Sequence, residues 1–546
     1  MIFVKNTTYL LKNATIIDGD NNKEYVGSIY IKNDKIEKII KDDNIFEFDC
    51  DSIINCENKY ITPGFIDVHG HSDLQILRSP NMRSKIQQGI TTEIAGNCGI
   101  GPFPIDLDDS DVVNSICDLT KDVLGSFDYN YTDFSTFCDL ANSNLPNTNV
   151  LFLQSHTALR ANVIKPNANR VASNDEIKEM CKLLDKSLEQ GCIGFSSGLY
   201  YAPCLYADEK ELLALLKVVK KHNGIFATHH RCEGDYIIDS LNEVINLAKK
   251  TDVQLEISHL KAIGLENQKY VDQILNLVDE AKASNIDIGF DQYPYEYGST
   301  SLYSLLPPKY LKLSNKDLKK VLSDKNERAL IKNEILIGEG WDSIVKMCGF
   351  DNIYTMYLES QSELNNYSIR ELSKKIKQKS DDDSCFNTLF DILEKESGTA
   401  LMIDITQSLE SMDKILNHPL MCFGTDAIYS GDENSIIPTH PRSYQSATHL
   451  LDLFYKQRKS IDLINLIYNM SGKSAKRFKI ENRGVIKEGN FADLVILDLD
   501  NLKDKSSLKD TKIPPDGIDY VFVNGNLVYK NKEIIKSNSG RILKKS

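Results

Sequence analysis

Two histidines two residues apart give the first sign of chemistry in the sequence. His69 and His71 follow shortly after the apolar run Gly64–Ile66. Residues i and i+2 of a strand point to the same side, so both imidazoles can reach one metal ion. Asp67 and Asp73 flank the pair, and we expect them to orient the two rings by hydrogen bonds.

Four further side chains that could bind a metal follow later apolar runs: Cys98, His229, His259 and Asp426. The cysteine lies in a glycine-rich loop, and a thiolate is a strong zinc ligand that can bridge two ions. His230 would point away from His229 on a continuing strand, so one of the two is predicted to be structural. Each residue alone would equally suit a hydrogen-bonded strand end or a turn, so the interpretation depends on the whole set.

This mixture of side chains has a definite chemistry. Zinc held by Cys98, His229 and His259 would keep one coordination position open for water. A zinc-bound water has a pKa of roughly 7, against 15.7 for bulk water. Asp426 would take the proton of that water and pass it to a departing nitrogen. A second, weaker ion could share the cysteine and use the remaining candidates: His69, His71 and Asp426.

The elements that must position these residues read as alternating strands and helices. The predicted strands are Phe65–His69, Thr91–Ala95, Val150–Gln154, Ile193–Ser197, Ile225–Thr228, Gln254–Ser258, Ile286–Asp291 and Met421–Thr425. Between them lie stretches of helical period, one of them with a capping box of Ser173 and Glu176. Eight such units predict an α/β fold, a parallel (β/α)₈ barrel of the TIM type. Alternation alone leaves a doubly wound sheet open.

Both ends of the chain carry short strand-like runs separated by Asn, Asp and Gly turns, one of them the hairpin signal Asn524-Gly525. Neither end is long enough for a good sandwich alone, so we expect them to form one small β-sandwich domain together. The predicted domains are residues 1–62 and 481–546 for the two parts of this β domain, and 63–480 for the barrel. Residues from about 302 to 417 are too long for one crossover, and we interpret them as an insertion before the last barrel strand. The acidic run 380–383 is predicted to be a solvated loop.

Composition narrows the class of protein. With 546 residues, 41% of them hydrophobic and 26% charged, the chain reads as a globular protein of two or more domains. A net charge of −14 argues against a nucleic-acid partner. No apolar run approaches the roughly 20 residues of a membrane span, and the N-terminus lacks the pattern of a signal peptide. Twelve scattered cysteines favour reduced thiols, hence a cytoplasmic location without membrane association.

Several motifs together resemble the metal-dependent amidohydrolase superfamily and, within it, the N-acyl-D-amino-acid deacylases (D-aminoacylases). The resemblance covers nearly the whole chain. The segments that carry it are 61–73, 89–93, Gly96-Asn97-Cys98-Gly99, 194–201, Thr228-His229-His230-Arg231, Ser258-His259-Leu260-Lys261, 293–300, His440-Pro441-Arg442 and 484–498.

The resemblance implies a tight zinc at Cys98, His229 and His259, and a weaker site at His69, His71 and Asp426. It also implies that Asp426 is the catalytic acid/base. Five further positions match those that hold the substrate carboxylate in the family: Lys261, Tyr201, Tyr293, Ser299 and Arg442. The implied activity is zinc-dependent hydrolysis of the amide bond of a small N-acyl-D-amino acid.

Two alternatives are kept beside this expectation. A cyclic-amide hydrolase or a deaminase could use the same barrel, although relatives of the dihydroorotase and hydantoinase type use a carbamylated lysine where this chain has a cysteine. A barrel that has lost catalysis and serves as an assembly or binding subunit is the alternative outside enzymes. The sequence does not predict an oligomeric state.

Overall fold

The structure, a computed structural model, describes residues 7–41, 49–116, 130–144, 146–166, 169–396, 400–428, 439–508 and 510–545. The strands of these residues are β1 Thr8–Ile16, β2 Tyr25–Lys32, β3 Lys35–Ile40, β4 Ser52–Asn55, β5 Tyr60–Pro63, β6 Phe65–Asp67, β7 Ile90–Ala95, β8 Asn149–Ser155, β9 Gly194–Gly198, β10 Ile225–His229, β11 Gln254–Ile257, β12 Ile288–Gln292, β13 Tyr297–Ser301, β14 Ile353–Leu358, β15 Ala400–Ile405, β16 Met421–Phe423, β17 Leu494–Leu497, β18 Ile518–Val523, β19 Asn526–Lys530 and β20 Glu533–Ile534.

The α-helices of these residues are Gln75–Arg78, Arg83–Ile86, Phe134–Asn144, His156–Val163, Asn174–Glu189, Glu209–Lys221, Ile237–Thr251, Val271–Ala283, Asn315–Ser323, Lys325–Ile337, Ile344–Cys348, Ile369–Lys377, Asp382–Lys395, Leu409–Leu416, Arg442–His449, Leu463–Met470 and Gly472–Arg477. Within the described ranges, no helix is both long and apolar enough to cross a bilayer.

Eight parallel strands form the predicted barrel. Their order runs from β6 through β7, β8, β9, β10, β11 and β12 to β16, as in the sequence. Three backbone hydrogen bonds join the first and last strand regions of the described residues. Val68 N–H donates to the Phe423 carbonyl at 3.1 Å, Asp426 N–H to that of His69 at 2.7 Å, and His71 N–H to that of Ala427 at 3.1 Å. An open doubly wound sheet would leave those edges apart, so the prediction of a barrel is confirmed.

The barrel strands are buried on both faces, which explains their continuous apolar runs. The helix Asn174–Glu189 shows how the outer layer is specified. Ser173 and Glu176 form the predicted capping box, and the helix buries Ile177 and Leu184 against the barrel.

A nine-stranded sheet combines strands from both ends of the chain. Its order is β20-β19-β18-β17-β5-β1-β2-β3, with β4 beside β1. The antiparallel pairing of β5 with β17 joins the two contributions, Thr62 lying opposite Val495. The predicted hairpin turn is present, because Asn524 and Gly525 have φ angles of 47° and 75°. The bounds 1–62, 63–480 and 481–546 themselves stay a prediction.

The segment between β12 and β16 carries its own small core and its own sheet. Strands β13, β15 and β14 pair antiparallel in that order, and β13 begins at Tyr297, before the predicted start of the insertion near residue 302. Leu302, Leu389 and Met402 belong to a hydrophobic cluster separate from that of the barrel. The sequence analysis predicted an insertion here but no sheet, so this sheet is an addition to the prediction.

The acidic run 380–383 is exposed to solvent, as predicted, but it does not form a loop. Asp381 caps the helix Asp382–Lys395 by accepting a hydrogen bond from the Ser384 N–H at 3.0 Å. Carboxylates are favourable in the first turn of a helix because its N–H groups carry partial positive charge. The run was therefore a helix start, and the prediction of a loop was wrong.

Candidate metal centre and active site

All six predicted metal ligands lie at the carboxyl ends of barrel strands. His69 and His71 follow β6, Cys98 follows β7, His229 ends β10, His259 follows β11 and Asp426 follows β16. They form two groups that share one cysteine, and within each group the ligand atoms lie within 4.8 Å of one another. The groups are Cys98 with His229 and His259, and Cys98 with His69, His71 and Asp426.

In the first group, the Cys98 Sγ lies 3.5 Å from His259 Nε2 and 4.0 Å from His229 Nδ1. Burial lowers the pKa of the His229 imidazole, which favours the neutral form that binds metals. One thiolate and two imidazoles are ligands that zinc accepts, with a coordination position left for water.

In the second group, His69 Nε2 lies 3.3 Å from the same sulfur. The Asp426 Oδ1 faces both histidines, at 3.6 Å from His69 Nε2 and 3.2 Å from His71 Nε2. The convergence of these nitrogens on Cys98 makes the cysteine the common member of both groups. A thiolate in this position has the geometry of a bridging ligand.

The charge state of the cysteine also fits a metal. Burial alone would raise the pKa of the Cys98 thiol, but His69 and His259 lower it well below its usual value. The thiolate is the form that binds metal ions. The donor set and its charge therefore fit zinc.

The backbone is strained at half of these positions. Cys98, His259 and Asp426 have φ angles of 51°, 35° and 48°, in the left-handed region that residues with a side chain rarely adopt. Glycine allows the close packing around Cys98, because a Cβ on Gly198 would lie 2.2 Å from the Cys98 carbonyl oxygen. The chain thus holds these side chains at sharp turns from strand to loop.

The carboxylates that orient the imidazoles are not the predicted ones. Asp291 lies 3.0 Å from His69 Nδ1, and Glu233 Oε1 lies 3.0 Å from His259 Nδ1. Asp67 instead accepts hydrogen bonds from the His69 backbone N–H at 3.1 Å and from Lys85 Nζ at 2.6 Å, and touches neither ring. Asp73 is 3.9 Å from His71 Nδ1, beyond hydrogen-bond distance.

The structure also separates the neighbouring histidines as expected. The His230 Nδ1 pairs with the Ser240 hydroxyl at 3.0 Å and faces away from the metal groups. Burial lowers the pKa of His230 to about 3, so it stays neutral. His230 is thus the structural member of the pair.

A cavity of about 1030 Å³ lies above the metal groups, between the barrel mouth and the segment that follows β12. All five residues that were predicted to bind substrate line it: Lys261, Tyr201, Tyr293, Ser299 and Arg442. Lys261 Nζ donates to Glu233 at 2.6 Å and lies 5.7 Å from the centre of the Tyr293 ring. Tyr201 packs edge-on to His229, with 4.9 Å between ring centres.

Arg442 links the cavity to the metal groups. Its guanidinium pairs with Asp426 at 2.8 Å and lies 5.0 Å from the centre of the Tyr293 ring. Its Nε is buried and has no hydrogen-bond partner among the described residues, so one donor is available for a ligand. His440 fixes its position, because His440 Nδ1 accepts from the Arg442 backbone N–H at 2.9 Å.

Ser299 has a weaker tie to this cluster. Its backbone carbonyl accepts from Arg442 at 3.5 Å, and its hydroxyl lies 3.9 Å from the Met356 sulfur. The structure places Ser299 at the cavity wall, where the Met356 sulfur is the one hydrogen-bond partner of its hydroxyl among the described residues.

Comparison with known proteins connects this arrangement to a family. A model of the amidohydrolase family matches residues 52–294 and 393–529. The D-aminoacylase of Alcaligenes xylosoxydans xylosoxydans is 27% identical over 98% of this chain and 97% of its own length. The N-acyl-D-aspartate deacylase of the same organism is 25% identical over 98% of this chain and 94% of its own.

A solved structure of a D-aminoacylase is also similar to this chain over nearly its whole length. A D-aminoacylase whose binuclear metal center shows one-metal activation and second-metal attenuation is 25% identical to this chain. It superimposes with a TM-score of 0.79 and covers 98% of this chain and 99% of its own.

Proposed function

Because this chain belongs to the amidohydrolase family, we propose that it hydrolyses the amide bond of N-acyl-D-amino acids, releasing a carboxylate and a free D-amino acid. The observation that carries the proposal is the pair of ligand groups that share Cys98. Asp426 belongs to one of these groups and also pairs with Arg442, which lines the cavity. The full-length similarity to D-aminoacylase and N-acyl-D-aspartate deacylase supports the choice of a linear N-acyl substrate and of the D configuration.

Zinc is the metal that we assign to this centre. Cys98, His229 and His259 would hold the tight ion, and a weaker site would use His69, His71 and Asp426 with the same cysteine. When bound, zinc supplies Lewis-acid chemistry, which lowers the pKa of water and polarises a carbonyl. Glu233 and Asp291 hold His259 and His69 in the orientation that presents the other ring nitrogen.

Asp426 is the group that we assign to proton transfer. Burial would raise the pKa of its carboxyl, but Arg442 and His71 hold it well below its usual value. The carboxylate is therefore ionised and able to accept a proton from the attacking water. The Asp426 carboxyl group then delivers that proton to the leaving amide nitrogen, which departs as a neutral amine.

The substrate carboxylate would lie against Lys261, Tyr293 and Arg442. Arg442 has a free Nε donor, and a guanidinium binds carboxylates with directional hydrogen bonds. The Lys261 ammonium adds a second positive charge near the same Tyr293 ring. These contacts fix the amino-acid half of the substrate so that its amide reaches Asp426 and the metal groups.

The test is a substrate panel together with one variant. The purified protein, supplied with zinc, is assayed with N-acetyl-D- and N-acetyl-L-amino acids and with a cyclic hydantoin. We expect turnover of the linear D substrates only. The Asp426→Asn variant should keep the tight zinc and lose about 10²–10⁴ in kcat, the usual contribution of a general acid/base.

An exposed aspartate offers a matched control for this variant. Asp252 is solvent-exposed and precedes β11, whereas His259 follows the opposite end of that strand; its left-handed conformation is one that asparagine tolerates well. Asp252→Asn should retain full turnover. Unchanged hydrolysis by Asp426→Asn would remove Asp426 from the mechanism, and a preference for the hydantoin would point to a cyclic-amide hydrolase.

A further inference from the structure

One acidic side chain in the cavity has no role in the metal centre. Asp404 lies on β15, opposite Gly298 of β13 and Ile353 of β14. Its side chain lines the cavity, yet the residue is only 4% exposed. Asp404 therefore points from the insertion sheet towards the space where a substrate would lie.

One oxygen of the Asp404 carboxylate lacks a hydrogen-bond partner among the described residues. Its Oδ1 is buried without a hydrogen bond to any described residue, and no described cation forms an ion pair with it. The nearby cations have other partners, because Lys261 pairs with Glu233 at 2.6 Å and Arg442 with Asp426 at 2.8 Å. A buried carboxylate without a partner is costly, so it indicates a group that a ligand completes.

A glycine keeps the approach to this carboxylate open. A Cβ on Gly298 would lie 3.2 Å from the Asp404 Oδ1 and 3.5 Å from the Tyr293 hydroxyl oxygen. The two polar groups therefore flank the same small space, and the absence of a side chain at Gly298 leaves it free. This space adjoins the residues that we assign to the substrate carboxylate.

We propose that Asp404 selects N-acyl-D-amino acids whose side chain carries a positive charge, as in lysine, ornithine or arginine. This inference rests on the proposed function, because it assumes that the substrate carboxylate lies against Lys261, Tyr293 and Arg442. A substrate held there directs its side chain towards the wall of the insertion. A side-chain ammonium or guanidinium then becomes the missing partner of Asp404.

The charge state of Asp404 agrees with this role. Burial raises the pKa of its carboxyl to about 6, although Lys261 and Arg442 counteract the rise. The carboxylate is therefore charged at pH 8. Glu233 also faces Asp404, and its pKa is held well below its usual value by Lys261 despite its burial, so it does not titrate in the same range.

The two tyrosines near Asp404 do not titrate in this range either. Burial raises the pKa of Tyr293 to about 12 and that of Tyr200 well above its usual value. Below about pH 6, protonation of Asp404 should therefore be the main change among these groups.

The experiment compares two substrates that differ mainly in charge. The zinc-loaded protein is assayed with N-acetyl-D-lysine and N-acetyl-D-norleucine, and the ratio of their kcat/KM values is measured. We expect lysine to be preferred about tenfold or more at pH 8, the value of one buried charge-assisted contact. Asp404→Asn should reduce this ratio towards one while norleucine is still hydrolysed.

A control variant tests whether the loss of any negative charge from the cavity wall changes the substrate ratio. Glu339 is an exposed carboxylate that lines the same cavity, and Glu339→Gln should leave the ratio unchanged. If Asp404→Asn fails to fold, the pH dependence of the wild type tests the inference instead. Its ratio of kcat/KM for lysine over norleucine should fall as the pH is lowered from about 8 to about 5, because Asp404 becomes protonated. Effects on the metal centre are common to both substrates and cancel in this ratio.

The outcomes separate this inference from the function on which it rests. Hydrolysis of norleucine with no preference for lysine, or a lysine preference that survives Asp404→Asn, would overturn the role of Asp404 and leave the deacylase proposal intact. N-acetyl-D-glutamine is assayed as a third substrate, and a kcat/KM equal to that of the lysine derivative would show that Asp404 accepts any N–H donor and would overturn selection by charge. Failure to hydrolyse any N-acyl-D-amino acid would refute both proposals.

Discussion

Cys98 occupies the most constrained position among the candidate ligands. It belongs to both ligand groups, it has a left-handed backbone, and Gly198 packs against its carbonyl oxygen. A residue that is strained and at the same time shared by two sites contributes more to metal binding than to packing. We therefore expect its replacement to affect both metal sites together.

Replacing this cysteine gives a direct measurement. Cys98→Ala should lower the bound zinc from one or two equivalents to well below one, because both groups lose their common thiolate. Elemental analysis after dialysis against dilute zinc measures the change. Cys181→Ala is the control, since Cys181 lies on an outer helix away from the ligands. Full zinc occupancy in Cys98→Ala would mean that another residue takes this place.

The sequence predicted the candidate metal ligands better than the carboxylates that orient them. His69 and His71 could be found because spacing on a strand fixes their common direction. Asp291 and Glu233 were missed, although Asp291 ends a predicted apolar strand and Glu233 follows His229 by four residues. A carboxylate within or just after a buried strand is the signal that could have found them, but only the fold shows which ring each one meets.

At the level of elements, the loop after β10 and the insertion are joined by one buried carboxylate. Asp342 accepts hydrogen bonds from the backbone N–H groups of Glu233 at 2.5 Å and Gly234 at 3.1 Å. Glu233 in turn contacts His259 and Lys261. The insertion is thereby connected to the residues that orient the metal ligands.

This connection should make stability depend on pH. Burial raises the pKa of Asp342 to about 7, although the two backbone N–H groups counteract the rise. A raised carboxyl pKa means that the folded state binds a proton more tightly than the unfolded state. The resulting stabilisation is complete below the unfolded value near 3.8 and is lost as the pH rises through about 7.

Thermal unfolding at several pH values measures this effect. The Tm of the wild type minus that of Asp342→Asn should fall between about pH 5 and pH 8, because asparagine removes the titrating group. Glu363→Gln, at an exposed position of the insertion, serves as control and should show a constant difference. A difference for Asp342→Asn that rises with pH would show that the charged form is the stabilising one.

The elements differ in how much the sequence reveals. The barrel strands were found because continuous apolar runs with regular spacing have few other interpretations. Strand β13 was missed because Tyr297–Ser301 is mostly small and polar, and its partner β15 begins about a hundred residues later. Pairing over that distance depends on the core of the insertion, which no local pattern reports.

At the scale of the whole molecule, a buried polar network ties the terminal sheet to the barrel. Asp493 pairs with Arg483 and accepts from the Asn524 backbone N–H at 2.7 Å. Asn524 donates through its amide to the Asn149 side-chain oxygen at 2.8 Å, at the start of β8. Removal of Asp493 would leave Arg483 charged, buried and without its main partner.

We expect Asp493→Ala to lower the apparent Tm by several degrees, since breaking a buried ion pair costs about 3–5 kcal/mol. Circular dichroism during heating measures the shift. Asp175→Asn, which removes an exposed pair with Lys178, should change the Tm by about one degree or less. Equal shifts for both variants would mean that the network does not hold the two parts together.

The pairing of β5 with β17 has a consequence for how the protein is made. These strands are more than 400 residues apart, so during synthesis β5 leaves the ribosome long before its neighbour exists. β1 can pair with one edge of β5, but until β17 exists the other edge is a template for other nascent chains, as any open sheet edge is. Chaperones that cover this edge during synthesis would therefore influence the yield of folded protein.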